Sequence, residues 1–180
     1  MQLYTIETGY FKLDGGAMFG VVPKVLWSRT NPPDNNNLCS WAMRSLLIED
    51  GNRLILIDNG IGDKQDDNFL KHYYLHGDVN LNRSLKIHGF TPDDITDVFL
   101  THLHFDHAGG ATIMDSKDNY VPAFPNAKYY ISKENWDAGI NPSPRDQASY
   151  LKENYLQIHK FGLFEFVSRN SNILTGISTY

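Results

Sequence analysis

The chain has a single cysteine, Cys39, in 180 residues, so no intrachain disulfide can brace it. A lone thiol fits a reducing compartment, and stability must come from a packed core. Runs of lysine or arginine are also missing, and 16 basic against 21 acidic residues leave a net charge of −5. That balance lacks the basic footprint that nucleic acid or an anionic membrane surface requires. No window of about 18 apolar residues occurs, which excludes an ordinary membrane-spanning helix. The opening MQLYTIETGYFKL has neither the basic start nor the apolar centre of a secretion signal. Internal repeats are absent, and the only low-complexity tract is Asn35-Asn36-Asn37. These absences lead to the expectation of a soluble, cytoplasmic protein whose partners are small molecules or proteins, with no nucleic-acid or membrane partner. With 41% hydrophobic residues the length suits one domain with a substantial core.

Alternation at Leu3–Glu7 and Tyr10–Leu13 predicts two strands of a hairpin turning at Thr8-Gly9. Residues 17–41 show little periodicity and contain Pro23, Pro32 and Pro33, which predicts a long excursion of the functional or the disordered kind. Strands are expected at Met43–Glu49 and Arg53–Asp58 around an Asp50-Gly51 turn. Leu54-Ile55-Leu56-Ile57 is apolar on both faces, so its strand should lie inside a covered sheet. Helical spacing follows at Asn68–Leu75 and Asn82–His88, and Thr91-Pro92-Asp93-Asp94 offers a capped helix start. Asp97–Leu100, Lys128–Ser132 and Leu163–Val167 read as strands, and Lys133–Ala138 and Pro144–Tyr155 as helices. The mixture indicates an α/β or α+β architecture with at least one sheet covered by helices.

The segment Thr101-His102-Leu103-His104-Phe105-Asp106-His107-Ala108-Gly109-Gly110 follows an apolar strand directly. At this composition the pattern His-x-His-x-Asp-His has a chance expectation of about 10⁻³, so coincidence is a poor account. Three imidazoles and a carboxylate at the end of a buried strand would lose hydration or repel one another without a cation. His102 and His104, two apart, can point to one side and share an ion, while Asp106 and His107 suit a second ion nearby. Imidazole and carboxylate without thiolate favour zinc, with manganese, iron or cobalt as alternatives. Two such ions would activate a bridging water and polarise a carbonyl or phosphoryl oxygen, which is hydrolytic chemistry. The small residues Ala108-Gly109-Gly110 are expected to let the backbone pass close to the metals.

This motif resembles the signature of the metallo-β-lactamase superfamily, and the wording HLHFDHAGG is most similar to the N-acyl homoserine lactonase-like and organophosphate-hydrolase-like branch. The resemblance extends to Leu54–Gly62, a strand ending in Asp-x-Gly, and to Phe124–Ile131. It implies a four-layer αβ/βα sandwich with a dinuclear site at the sheet edge. It further implies that His102 and His104 bind the first metal and Asp106 and His107 the second. Asp58 would support the site from behind, and Asp106 would double as the catalytic proton shuttle. Diiron oxygen-reducing members tend to carry glutamate at the position of His104, so hydrolysis is favoured over redox chemistry. Three more ligands are implied: a histidine in a Gly-His-Thr-like turn, a bridging aspartate and a last histidine. None has a match here; His159 is the only histidine downstream of His107 and lacks that context, and Ile173–Tyr180 resembles the strand and turn leading to it. The expectation is a single domain over residues 1–180, truncated before the later ligands, with its C-terminal half incomplete.

Met18, Phe19 and Trp27 are candidates for an apolar substrate pocket, and would serve equally as core or as a homodimer contact. The leading functional expectation is a dinuclear zinc hydrolase of an ester-like bond, most of all a lactone such as an acyl homoserine lactone. Phosphotriester, thioester or β-lactam substrates are the alternatives, as is a non-catalytic metal-binding fragment.

Overall fold

The computed structural model describes residues 1–174 and 176–178. Its strands are β1 (Gln2–Asp14), β2 (Leu38–Asp50), β3 (Arg53–Ile57), β4 (Asp97–Phe99), β5 (Thr112–Met114), β6 (Tyr120–Pro122), β7 (Lys128–Ser132), β8 (Phe164–Val167), β9 (Asn172–Leu174) and β10 (Ile177–Ser178). Its helices are α1 (Gly15–Phe19), α2 (Lys24–Trp27), α3 (Asp67–Leu70), α4 (Leu81–Ile87), α5 (Phe105–Ala108), α6 (Lys133–Ile140) and α7 (Leu156–Lys160). A mixed six-stranded sheet runs in the order β1-β2-β3-β4-β7-β8, antiparallel from β1 to β3 and parallel from β3 to β8. This is the α/β class expected.

The apolar run of β3 is buried on both faces, as its sequence requires. Leu54 and Leu56, with Val98, Tyr129 and Ile131, face a core closed by Leu85 of α4, Trp136 of α6 and Ile158 of α7. On the opposite face Phe99 stacks on Tyr130, with centroids 4.5 Å apart, and Arg53 forks onto Asp97. Ile173 and Ile177 of the β9–β10 hairpin border a groove of about 420 Å³ there, shared with Ile57, Phe99 and Val167. Among the described residues no helix is long and apolar enough to cross a membrane.

Five local expectations change. Thr8-Gly9 is not a hairpin turn: β1 is one strand whose register against β2 shifts between Glu7 and Gly9. The long pairing with β2 wins over a local turn, and Gly9, at φ +136°, absorbs the bulge. The excursion after β1 contains α1 and α2, the first capped by the Asp14 carboxylate accepting from the Ala17 N–H. Only the first three residues of the 68–75 segment are α-helical, at the end of α3, because Lys12 N–H bonds Tyr73 O and His76 N–H bonds Tyr10 O, drawing the chain along the edge of β1. Residues 144–155 form two 3₁₀ turns, Gln147–Ser149 and Lys152–Asn154, rather than a helix. Their apolar side chains serve different neighbours: Tyr150 meets His104, Leu151 joins the cluster around Phe105, and Tyr155 donates to Gly139 O. Thr91 likewise opens only one 3₁₀ turn, Pro92–Asp94, held by a capping box with Asp94.

Candidate metal centre

The histidine motif follows β4 and is anchored by its apolar members. Leu103 is fully buried in the main core, while Phe105 enters a second cluster with Phe11, Met43 and Ile61. Pinning these two inward leaves the intervening His102 and His104 half-buried and adjacent, with ring centroids 4.6 Å apart. One turn of α5 then returns His107 to within 4.0 Å of the His102 ring, and Asp106 Oδ2 lies 3.5 Å from His107 Nε2. The structure thus brings His102, His104, Asp106 and His107 together.

Asp58 ends β3 beside β4, in the left-handed region at φ +55°. Its Oδ1 accepts from the Thr101 N–H at 2.8 Å; its Oδ2 meets Thr101 Oγ1 at 2.8 Å and His107 Nδ1 at 2.7 Å. Thr101 has one hydroxyl hydrogen, which goes to Asp58, so its 3.1 Å contact with His102 Nδ1 must be an N–H donated by the ring. One carboxylate therefore fixes two imidazoles, His107 directly and His102 through Thr101, and leaves Nε2 of His102 free as a ligand atom. The bond to Asp58 raises the His107 pKa, against the opposing effect of burial. Burial, then the neighbouring His107 and His104, lowers that of His102, which favours the neutral ring. Oriented imidazoles beside a carboxylate, without thiolate, fit zinc. Among the described residues no three such groups already enclose a point where an ion would sit.

Gly109 and Gly110 have a different purpose from metal clearance. A Cβ on Gly109 would stand 2.1 Å from Ile61 O, and one on Gly110 2.2 Å from Asn59 O. Two turns, 59–62 and 107–110, mate backbone to backbone: Asn59 N–H donates to His107 O and Gly110 N–H to Gly60 O, each at 2.9 Å. The Lys64 ammonium donates to Gly109 O, and burial pushes its pKa down to about 8.

A cleft of about 310 Å³ opens on Asp58, Asp106 and His107, walled by Phe11, Met18, Trp41 and Met43. Met18 lines it. Phe19 stands behind, its ring 4.9 Å from Trp27 and 5.4 Å from Trp41, and Trp27 is buried under Gly15. Their aromatic mass reads alike in sequence, but only packing decides which member meets solvent. Sequence reasoning missed Trp41, Thr101 and Tyr150, whose ring lies edge-on to His104 at 4.7 Å. Thr101 alone carried a signal, standing next to the first histidine. His159 packs on Trp136 and Phe166, away from any ring of the cluster.

Residues 44–169 match the family model described as the metallo-beta-lactamase superfamily. The N-acyl homoserine lactonase AiiA of Bacillus thuringiensis subsp. kurstaki is 25% identical over 174 residues, covering 91% of this chain and 59% of the relative. A probable metal-dependent hydrolase from Staphylococcus aureus superposes with TM-score 0.86 at 30% identity, over 97% of this chain and 61% of that one. The dizinc quorum-quenching lactonase AidC, solved with a product N-hexanoyl-homoserine, gives TM-score 0.70 at 26% identity, over 96% and 60%. The chain therefore spans about three-fifths of the length of these relatives.

Proposed function

Since the chain belongs to the metallo-beta-lactamase superfamily, we propose that its histidine cluster serves a metal-dependent hydrolase of ester-like bonds, with a lactone as substrate. The activity is proposed for the protein as a whole. The observation that carries it is the Asp58 carboxylate holding His107 and, through Thr101, His102 beside Asp106. The cleft over Asp106 and His107 supports the choice of substrate, since its Phe11, Met18, Trp41 and Met43 walls would receive an apolar acyl group. Relatives named as acyl homoserine lactonases support it further.

In this reading His102 and His104 would hold a first zinc ion and Asp106 and His107 a second, with manganese, iron or cobalt suited to the same donors. Bound zinc supplies Lewis acidity, giving a water that ionises near neutral pH and a polarised carbonyl. Asp58 keeps both imidazoles turned toward the site. Asp106, 27% exposed at the cleft, carries a proton to the leaving alkoxide.

Zinc-loaded protein and its His104→Ala variant, assayed on a panel of lactones, test the reading. Ring opening in the first and a loss of at least about 100-fold in the second are expected. Equal turnover by the variant would refute it, and stoichiometric zinc without turnover of any lactone, thioester or phosphotriester would favour a non-catalytic metal-binding role.

A further inference from the structure

The imidazoles of the cluster are not all held alike. His107 bonds the Asp58 carboxylate, and His102 donates to the Thr101 hydroxyl. His104 has no such partner: among the described residues no donor or acceptor reaches its ring, and what adjoins it is two other rings. One is His102, with centroids 4.6 Å apart and planes inclined at 72°; the other is Tyr150, at 4.7 Å and the same 72°. The torsion that sets an imidazole plane has a broad minimum, so a ligand histidine takes its orientation from a contact outside itself. Near-perpendicular aromatic pairs at this separation are attractive and directional.

Tyr150 offers that contact from a fixed base. It links the 3₁₀ turns Gln147–Ser149 and Lys152–Asn154, half-buried against the main core. The residues after it are tied down in turn: Leu151 enters the cluster around Phe105, Glu153 O accepts from the Thr112 hydroxyl, and the Tyr155 hydroxyl donates to Gly139 O. The backbone that carries the phenol ring is thereby braced. We propose that Tyr150 is the positioning residue of His104, its ring holding the imidazole plane as Asp58 and Thr101 hold the other two. The inference rests on the reading of the cluster as a metal centre, and adds a second way of orienting a ligand there. A hydrogen bond selects a tautomer as well as an angle, whereas a packed ring selects the angle alone. His104 therefore keeps both tautomers accessible in the metal-free protein.

Zinc titration against a chromophoric chelator, joined to NMR of the histidine rings, tests this on the whole chain. Tyr150→Leu should lower zinc affinity about three- to tenfold, and Tyr150→Phe, which keeps the ring, by less than about twofold. In the metal-free wild type the His104 ring protons should show Overhauser contacts to the Tyr150 ring, and the His104 nitrogens an averaged pair of tautomers beside a single one at His102. Missing Overhauser contacts would overturn the proposal even if Tyr150→Leu folds poorly. An equal loss in the two variants would assign the effect to the hydroxyl and overturn it too. Zinc bound by the wild type and by Tyr150→Leu with the same affinity would overturn the role of Tyr150 and leave the metal centre standing, whereas a wild type that binds no zinc would overturn both.

Discussion

At the scale of single residues, Asp58 concentrates the electrostatics of the site. Its carboxylate receives three donors, two from Thr101 and one from His107. Asp58→Asn would put an amide N–H against one of them and release the His107 ring. Metal affinity should fall about 10- to 100-fold with the fold intact, as read by competition with a chromophoric chelator. An unchanged affinity would remove Asp58 from the site. Thr101→Val keeps the shape and takes away only the relay to His102, so the loss should be smaller, and NMR should find the His102 tautomer mixed while His107 stays fixed. The part expected of Asp58 came from the resemblance of Leu54–Gly62 to a family strand ending in Asp-x-Gly, not from the strand-ending carboxylate by itself. Thr101 was not legible, since its contribution is to pass a hydrogen bond between two other side chains.

Among the elements, the two mated turns hold the cluster in place. Gly110→Ala would drive a Cβ to 2.2 Å from Asn59 O and force the turns apart. A loss on the order of 3 kcal/mol or more is expected, seen as a fall in Tm of roughly 6–12 °C. Gly20→Ala provides the contrast: its φ is +56° with nothing within 4 Å, and about 1–2 kcal/mol is expected. Equal effects at the two sites would refute the mating as the cause. Strands were read well where alternation or a two-faced apolar run left one solution, as at β3 and β7. Helices were read poorly where tertiary contacts outbid local spacing. Residues 144–155 have helical periodicity, but Tyr150, Leu151 and Tyr155 are wanted in three places. Likewise the glycines after the cluster were legible as close approach, but not what they approach.

For the molecule as a whole, Lys64 links stability to pH. Its pKa in the fold is about 8, below the ordinary 10.5, so between those values the unfolded chain retains a proton that the folded chain has released. Stability contributed by this group therefore rises with pH from about 8 to about 10.5. Burial raises the phenols of Tyr129 and Tyr155, which works the other way above about pH 10, so the readout is a difference. Urea unfolding at pH 8 and pH 10 should show a gain in the wild type of about 1–2 kcal/mol relative to Lys64→Met. Parallel behaviour of the two proteins would mean that the ammonium is hydrated. The backbone mating of the two turns also bears on how such a chain can change its length. A residue inserted in either turn would pull apart a fit that has no slack, and a matching insertion in the other would be needed at once. Residues 20–37, which bear on the cleft through neighbours such as Phe19, are free of that coupling, so it is there that insertions and deletions can reshape the cleft's rim without touching the histidine cluster.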